Sequence, residues 1–200
     1  MKIVLFDFDG VMVDTFSFCH AISNLIHPIS EDDYRKRFEG NIFDSVKKPK
    51  EGAKKIDFWG EYKPELMKCV PVKGISELIK DFSEIYVLII ISSTISHAIS
   101  DFLDENNLRK YFKEILGADI DKSKINKICG VLNKYPISSS DIIFITDSLG
   151  DIKEARECGV KSIAVTWGYH PKETLIKGEP YKIVDQPLDI KEAVDIYFSL

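Results

Sequence analysis

The first residues of the chain form a short apolar segment that ends in two acidic residues. Residues 3–6 are Ile-Val-Leu-Phe, and Asp7, Phe8, Asp9 and Gly10 follow them. An apolar run without alternation is typical of a strand that is buried on both faces of a parallel sheet. Because charged carboxylates are costly in such a core, we expect both acids at the carboxyl edge of the sheet, where open α/β folds bind ligands.

The two acids need a partner at that edge. Neighbouring carboxylates repel each other unless a cation or a shared proton lies between them. A hard divalent cation with oxygen ligands meets this need best. The alternative is a junction between a strand and a turn at which both acids are hydrated. We favour the metal, although this stretch alone leaves both interpretations open.

Length, charge and cysteine usage limit the class of protein. The chain has 200 residues, enough for one domain with or without an insertion, and a net charge of −5. This charge argues against nucleic acid and anionic membranes as partners. No apolar stretch approaches the roughly 18 residues of a membrane span, and we expect no signal peptide. The four cysteines are scattered without a C-x-x-C pair, which indicates reduced thiols in a cytoplasmic protein and argues against a zinc site.

The order of the predicted elements indicates an α/β fold. Residues 15–70 contain no convincing buried strand, and Ser30 with Asp33 matches the start of a helix. This pattern indicates a small helical insertion. From about residue 71, strands alternate with helices, which is the pattern of βαβ units in a parallel sheet. The later strands are predicted at 85–91, 114–118, 141–146, 161–166 and 181–184, and the later helices at 75–82, 95–106, 123–134, 149–157 and 188–198.

Polar side chains follow several of these strands. Ser92 and Ser93 follow the most hydrophobic strand, and Asp147 follows another, with Asp151 four residues later. The carboxyl ends of parallel strands share one edge of the sheet, so these groups are expected beside the two acids of the first strand. A cluster of carboxylates, hydroxyls and lysines suits a metal-assisted reaction on an oxyanion, in which one carboxylate can be the nucleophile.

Residues 7–15, DFDGVMVDT, resemble the opening motif of the haloacid dehalogenase superfamily. The resemblance implies a three-layer, Rossmann-like parallel sheet with a helical cap inserted after the first strand. It also implies that Asp7 is the nucleophile. Asp9 would be the general acid and base and would bind Mg²⁺ through its backbone carbonyl. The dehalogenases lack an acid at the position of Asp9, so this residue argues for phosphoryl transfer.

The second motif of the superfamily binds the phosphoryl group. The hydroxyl of Ser92 and the backbone N–H of Ser93 match it, and the resemblance adds Gly10 to the same role. Many members have Asn at the position of Ser93, so a side-chain role there stays open. Thr94 is expected to cap the helix that follows.

The remaining motifs supply a lysine and further acids. Lys122 and Lys124 are both candidates for the lysine that neutralises the nucleophile and the phosphate. We favour Lys124, since its spacing to the next motif matches phosphoglycolate phosphatase-like members better. In that next motif, Asp147 would bind Mg²⁺ directly, and Asp151 would bind it through water or orient Lys124.

The resemblance also predicts the domain organisation. Residues 1–14 and 71–200 would form the core, and residues 15–70 a cap of the C1 type that closes over the site. Gly40, Asn41 and the lysines at 47–55 are candidates for contact with the leaving group. A solvated face is the slightly favoured alternative for the lysines. The aromatic residues of this segment are expected in the core of the cap rather than in a platform that stacks on a ring of the substrate: Phe58, Trp59 and Tyr62.

The predicted function is a Mg²⁺-dependent phosphatase that acts on a small phosphorylated metabolite, such as phosphoglycolate or a sugar phosphate, through an aspartyl phosphate. A phosphomutase of the β-phosphoglucomutase type would use the same motifs. A non-catalytic binding protein on the same fold is the last alternative, because such a protein would be expected to lack a motif residue. The sequence identifies neither the physiological substrate nor the oligomeric state.

Overall fold

The computed structural model describes residues 1–45 and 56–199. Its single six-stranded parallel sheet has the order β3-β2-β1-β4-β5-β6. The strands are β1 (Ile3–Phe6), β2 (Val87–Ile91), β3 (Phe112–Leu116), β4 (Ile142–Thr146), β5 (Lys161–Val165) and β6 (Lys182–Val184). The predicted α/β class and parallel sheet are therefore confirmed. β1 lies between β2 and β4, and this central position places Asp7 at the middle of the carboxyl edge.

Helices cover both faces of the sheet. The helices are α1 (Phe16–Ile26), α2 (Glu31–Lys36), α3 (Ile42–Ser45), α4 (Phe58–Leu66), α5 (Ile75–Ser83), α6 (Ser96–Glu105), α7 (Lys124–Lys134), α8 (Leu149–Glu157), α9 (Lys172–Leu175) and α10 (Pro187–Ser199). Residues Val4 and Phe6 of β1 pack in one apolar cluster with α5, α6 and α10. Ile3 and Leu5 pack in a second cluster with α7 and α8. This three-layer arrangement explains why β1 is apolar at both parities.

The helical insertion follows β1 directly. Helices α1 to α4 all lie between β1 and α5, and the described residues of 15–70 contain no strand of the sheet. The helix start predicted at Ser30 is confirmed, because the Ser30 hydroxyl accepts the N–H of Asp33 at 3.2 Å. The division of the chain into a core and a separate cap domain stays a prediction.

Several boundaries differ from the sequence prediction, most clearly those of β2 and of β3, which was predicted at 114–118 and spans Phe112–Leu116. The strand predicted at 85–91 begins at Val87. The backbone N–H groups of Ile85 and Tyr86 instead donate to Phe82 O and close the end of α5. Helix α9 was not predicted, since it has only four residues. No helix in the described part of the chain is long and apolar enough to cross a membrane.

Candidate active site

Three carboxylates meet at the carboxyl edge of the central strands. Asp7 follows β1, Asp147 follows the adjacent strand β4, and Asp151 lies in the first turn of α8. All three side chains are buried, and one oxygen of each lies within 4.8 Å of the others. The pairing of β1 with β4 brings residues 140 positions apart in sequence into one cluster.

A buried lysine bridges two of these carboxylates. The Nζ atom of Lys124 lies 2.8 Å from Oδ2 of Asp7 and 2.7 Å from Oδ2 of Asp151. Lys124 is the first residue of α7 and is 3% exposed. Lys122 is exposed, and its Nζ lies 5.5 Å from the centre of the Phe43 ring. Of the two candidates, the structure thus brings Lys124 to the carboxylates.

The cluster holds more negative charge than one lysine neutralises. Burial raises the pKa of Asp147 to about 7 and the pKa of Asp7 well above its usual range. Burial also acts to raise the pKa of Asp151, but the Lys124 ammonium and the hydrogen bonds to this carboxylate together outweigh it, and the pKa of Asp151 is lowered. Burial acts to lower the pKa of Lys124, yet Asp151 and Asp7 raise it. The lysine therefore stays charged, while the acids compete for protons or for a further cation.

This donor set fits Mg²⁺. The convergent atoms are all carboxylate oxygens, which are the ligands that hard divalent cations prefer. The excess negative charge around Asp7 and Asp147 gives a second reason, because a divalent cation would offset it.

We expect Mg²⁺ to raise the unfolding temperature of the purified protein. A ligand that binds only the folded state adds about 2.7 kcal/mol at a concentration 100 times its Kd. Asp147→Asn removes one buried ligand, so the variant should lose most of the shift in differential scanning fluorimetry. Asp32→Asn changes an exposed acid of α2 and should keep it. An unchanged shift in Asp147→Asn would contradict the assignment.

Two glycines allow the backbone to approach Asp147. The Tyr169 N–H donates to Oδ2 of Asp147 at 2.6 Å. A Cβ on Gly10 would lie 1.9 Å from the same oxygen, and one on Gly168 would lie 2.3 Å from Cβ of Asp147. Gly10 also has φ +73°, which favours glycine. The structure therefore places Gly10 against the Asp147 carboxylate, and its predicted contact with phosphate stays a prediction.

Three hydroxyl groups hold the carboxylate of Asp9. Thr15 and Tyr62 donate to Oδ1 at 2.8 and 2.6 Å, and Thr94 donates to Oδ2 at 2.7 Å. Asp9 is thus oriented apart from the three-carboxylate cluster, which does not include it. Its expected metal contact through the backbone carbonyl stays a prediction.

The prediction that Thr94 caps a helix is wrong. Helix α6 begins at Ser96, and Ile95 occupies the N-cap position without a side-chain hydrogen bond. The Thr94 hydroxyl is bonded to Asp9, and its N–H donates to the Ser92 hydroxyl at 3.0 Å. The Ser92 oxygen accepts this bond, so the Ser92 O–H points away from the Thr94 N–H. Ser92 and Ser93 both line the cavity at the sheet edge.

Sequence reasoning missed a second buried lysine, Lys127. Its Nζ donates to the carbonyls of Ser92 and Gly117, at 2.7 and 3.4 Å. Burial, with the nearby Lys124 ammonium, lowers the pKa of Lys127 to about 8. The spacing of three residues on α7 puts both lysines on one helix face, which was the available signal. Lysines are usually hydrated, so the signal was weak.

We expect Lys127→Met to weaken both folding and substrate binding. The variant leaves two backbone carbonyls without their buried donor, which should cost about 1–3 kcal/mol of unfolding free energy. Because one carbonyl belongs to Ser92, the residue predicted to bind the phosphoryl group, we expect KM to rise more than kcat falls. Lys134→Met is the matched control on α7, since Lys134 pairs with Glu114 at the surface and its loss should cost less than about 1 kcal/mol. Equal effects of the two variants would contradict this role.

A cavity of about 290 Å³ lies between the sheet edge and the helical insertion. The insertion contributes Cys19, Ser23, Ile26, His27, Tyr34, Arg37, Phe38, Gly40, Ile42, Phe43, Phe58, Trp59 and Tyr62 to its lining. Gly40 thus lines the cavity and Asn41 is not among its lining residues, while the contact of Gly40 with a leaving group stays a prediction. Asn41 instead donates to Lys122 O at 3.1 Å and to Oε1 of Glu154 at 3.2 Å, which ties the insertion to the core. The lysines at 47–55 lie outside the described residues.

The prediction for the aromatic residues was incomplete. Tyr62 is buried, but Phe58 and Trp59 are only half-buried, and all three line the cavity as well as packing against the apolar cluster. The Tyr62 hydroxyl also binds Asp9. A buried tyrosine hydroxyl requires a partner, which was the one signal in the sequence for this contact.

A family comparison agrees with the fold. Residues 4–165 match the model of the haloacid dehalogenase-like hydrolases, and the chain belongs to this family. The predicted family and hydrolase class are confirmed.

Its relatives include phosphoglycolate phosphatases of two bacteria. The Synechococcus elongatus protein is 25% identical over 97% of both chains, and the Vibrio parahaemolyticus protein is 21% identical over 98% of this chain and 97% of its own. A predicted phosphatase of Clostridium acetobutylicum has a crystal structure that superposes with a TM-score of 0.78. It is 22% identical, and the match covers 96% of this chain and 97% of that one.

Proposed function

We propose that this protein is a Mg²⁺-dependent phosphatase that hydrolyses a small phosphate monoester through a phosphoryl group carried on Asp7. The contact of Lys124 Nζ with Oδ2 of Asp7, at 2.8 Å inside the carboxylate cluster, carries this proposal. It places a buried carboxylate, with its counter-ion, at the edge of the sheet that opens to the cavity. The relatives named phosphatases support the same reaction class.

Asp7 is the residue best placed to attack phosphorus. Its Oδ1 accepts the N–H of Phe8 at 2.8 Å and its Oδ2 pairs with Lys124, so the carboxylate is fixed in orientation. A carboxylate oxygen attacks phosphorus, the ester P–O bond breaks, and the phosphoryl group moves to Asp7. Lys124 stays beside the group and offsets the charge of its oxygens.

Asp9 is proposed to act as the general acid in the first step and as the general base in the second. It donates a proton to the departing alcohol oxygen and then takes one from the water that attacks the phospho-Asp7 phosphorus. This second step releases inorganic phosphate and restores Asp7. The hydroxyls of Thr15, Tyr62 and Thr94 hold Asp9 in place, since each lies within 2.8 Å of one of its oxygens.

The remaining residues bind the charged parts of the substrate. Asp7, Asp147, Asp151 and the carbonyl of Asp9 would hold Mg²⁺, which when bound supplies positive charge next to the phosphoryl oxygens. The Ser92 hydroxyl and the Ser93 N–H, at the turn before α6, are proposed to bind those oxygens.

The proposal is tested by measuring phosphate release over a panel of phosphate esters with Mg²⁺ and with a chelator. We expect Mg²⁺-dependent release of inorganic phosphate from at least one ester, and phosphoglycolate and sugar phosphates belong in the panel. Isomerisation that requires a bisphosphate primer, without net phosphate release, would instead indicate the mutase. Absence of turnover on the whole panel would contradict an enzyme of this class. The cytoplasmic location stays a prediction.

A further inference from the structure

The part of the cavity wall that the helical insertion contributes is mainly aromatic and aliphatic, whereas the part at the sheet edge is polar. Half-buried Phe58 and Trp59 contribute to its wall, although side chains of this size are costly to leave in contact with water. Phe38, Ile42 and Phe43 add further apolar surface from α3 and the residues before it. An apolar concave wall with few polar groups is typical of a site for an apolar ligand.

The aromatic wall reaches Asp9 through Tyr62, which packs on Trp59 and donates a hydrogen bond to Asp9. The Trp59 ring lies 5.5 Å from the Tyr62 ring, edge to face, and the Tyr62 hydroxyl donates to Asp9 at 2.6 Å. Phe58 packs on Trp59 with ring centres 5.1 Å apart. Since Asp9 gives its proton to the leaving oxygen, the group attached to that oxygen must lie next to these rings.

Charged partners for a small acidic leaving group are scarce in the described wall. Among the described lining residues, Arg37 is the one lysine or arginine outside the carboxylate cluster, where Lys124 is already paired. The carboxylate of an acid such as phosphoglycolate would find one guanidinium in this wall, Arg37, but the acid would leave the aromatic surface uncovered.

From these contacts we infer that the preferred substrate is a phosphate monoester whose leaving alcohol carries an aromatic ring, which packs against Phe58 and Trp59. The inference rests on the phosphatase activity proposed above and specifies its substrate class. A ring of this kind covers the apolar wall on binding and stacks in the offset or edge-to-face geometries that aromatic pairs prefer.

The test compares three esters of unactivated primary alcohols: 2-phenylethyl phosphate, ethyl phosphate and phosphoglycolate. With Mg²⁺ and the full-length protein, we expect kcat/KM for 2-phenylethyl phosphate to exceed that for ethyl phosphate about 30-fold or more, since one methylene alone gives roughly 10- to 200-fold discrimination. Equal values for these two esters, or a preference for phosphoglycolate, would overturn the inference while leaving the phosphatase proposal intact. Failure to release phosphate from any phosphate ester would instead overturn the phosphatase proposal and, with it, this inference.

Substitutions in the aromatic wall test whether this wall causes the preference for 2-phenylethyl phosphate. Trp59→Ala should reduce the ratio of the phenylethyl to the ethyl value about 10-fold, and Phe58→Leu provides a milder change at the proposed contact if Trp59→Ala does not fold. Leu188→Ala is the control, because Leu188 is 72% exposed on α10 and lies outside the cavity lining. A ratio that stays constant in folded Trp59→Ala, or in Phe58→Leu where Trp59→Ala does not fold, would overturn the placement of the ring.

Discussion

Asp7→Asn is expected to reduce phosphate release by at least about 10³-fold, because an amide cannot serve as the nucleophile that carries the phosphoryl group. The substitution keeps the size of the side chain and removes a carboxylate from a cluster with excess negative charge. Burial already raises the pKa of Asp7, so a neutral group is tolerated there. We therefore expect the unfolding temperature to be equal or higher.

The control for this variant is Asp32→Asn, which changes an exposed acid on α2 and should retain full activity. Both proteins are assayed for phosphate release after the same purification, with circular dichroism to confirm folding. Full turnover by folded Asp7→Asn, free of contaminating phosphatase, would contradict the proposed nucleophile.

Lys124→Met should damage both catalysis and stability. Without the ammonium, Asp7 and Asp151 lose their partner in a buried site, and breaking such a pair typically costs about 3–5 kcal/mol. Activity should fall by about 10³-fold, since the phosphoryl group also loses a neighbouring positive charge. Urea unfolding in the presence of a chelator measures the stability change without a contribution from Mg²⁺.

Lys122→Met is the matched control for Lys124→Met. The two lysines lie two residues apart, but Lys122 is exposed, so its change should alter unfolding free energy by no more than about 0.5 kcal/mol. If Lys122→Met were the variant that lost activity, the assignment of the motif lysine would be reversed.

The sheet was predictable because each central strand is recognised from the apolar residues within the strand itself. The residues of β1 are apolar at both parities and fully buried, and β4 has the same pattern. Burial on both faces requires this composition whatever the neighbouring strands are. The start of β2 was less predictable, since Tyr86 is apolar and β-prone but its N–H closes α5.

The site was only partly predictable, because its supporting contacts join distant segments. The positions of Asp7 and Asp147 were predictable because both follow buried strands, and Asp151 was predictable because it lies four residues after Asp147. The structure places the three carboxylates together. The bond from Tyr62 to Asp9 and the one from Lys127 to Ser92 depend on how helices pack, which no local pattern specifies. Tyr62 was expected in the core of the cap and is buried, but this expectation carried no information about the partner of its hydroxyl.

The central claim, that Asp7 carries the phosphoryl group, is tested most directly by trapping this intermediate. Asp9→Asn with 4-nitrophenyl phosphate suits the experiment, because this leaving group needs no proton, whereas the attack of water still needs a base. After acid quench, mass spectrometry should find one added phosphoryl group on the peptide containing Asp7, and hydroxylamine should remove it. Turnover with no phosphorylated peptide, or with the group on another residue, would contradict the account.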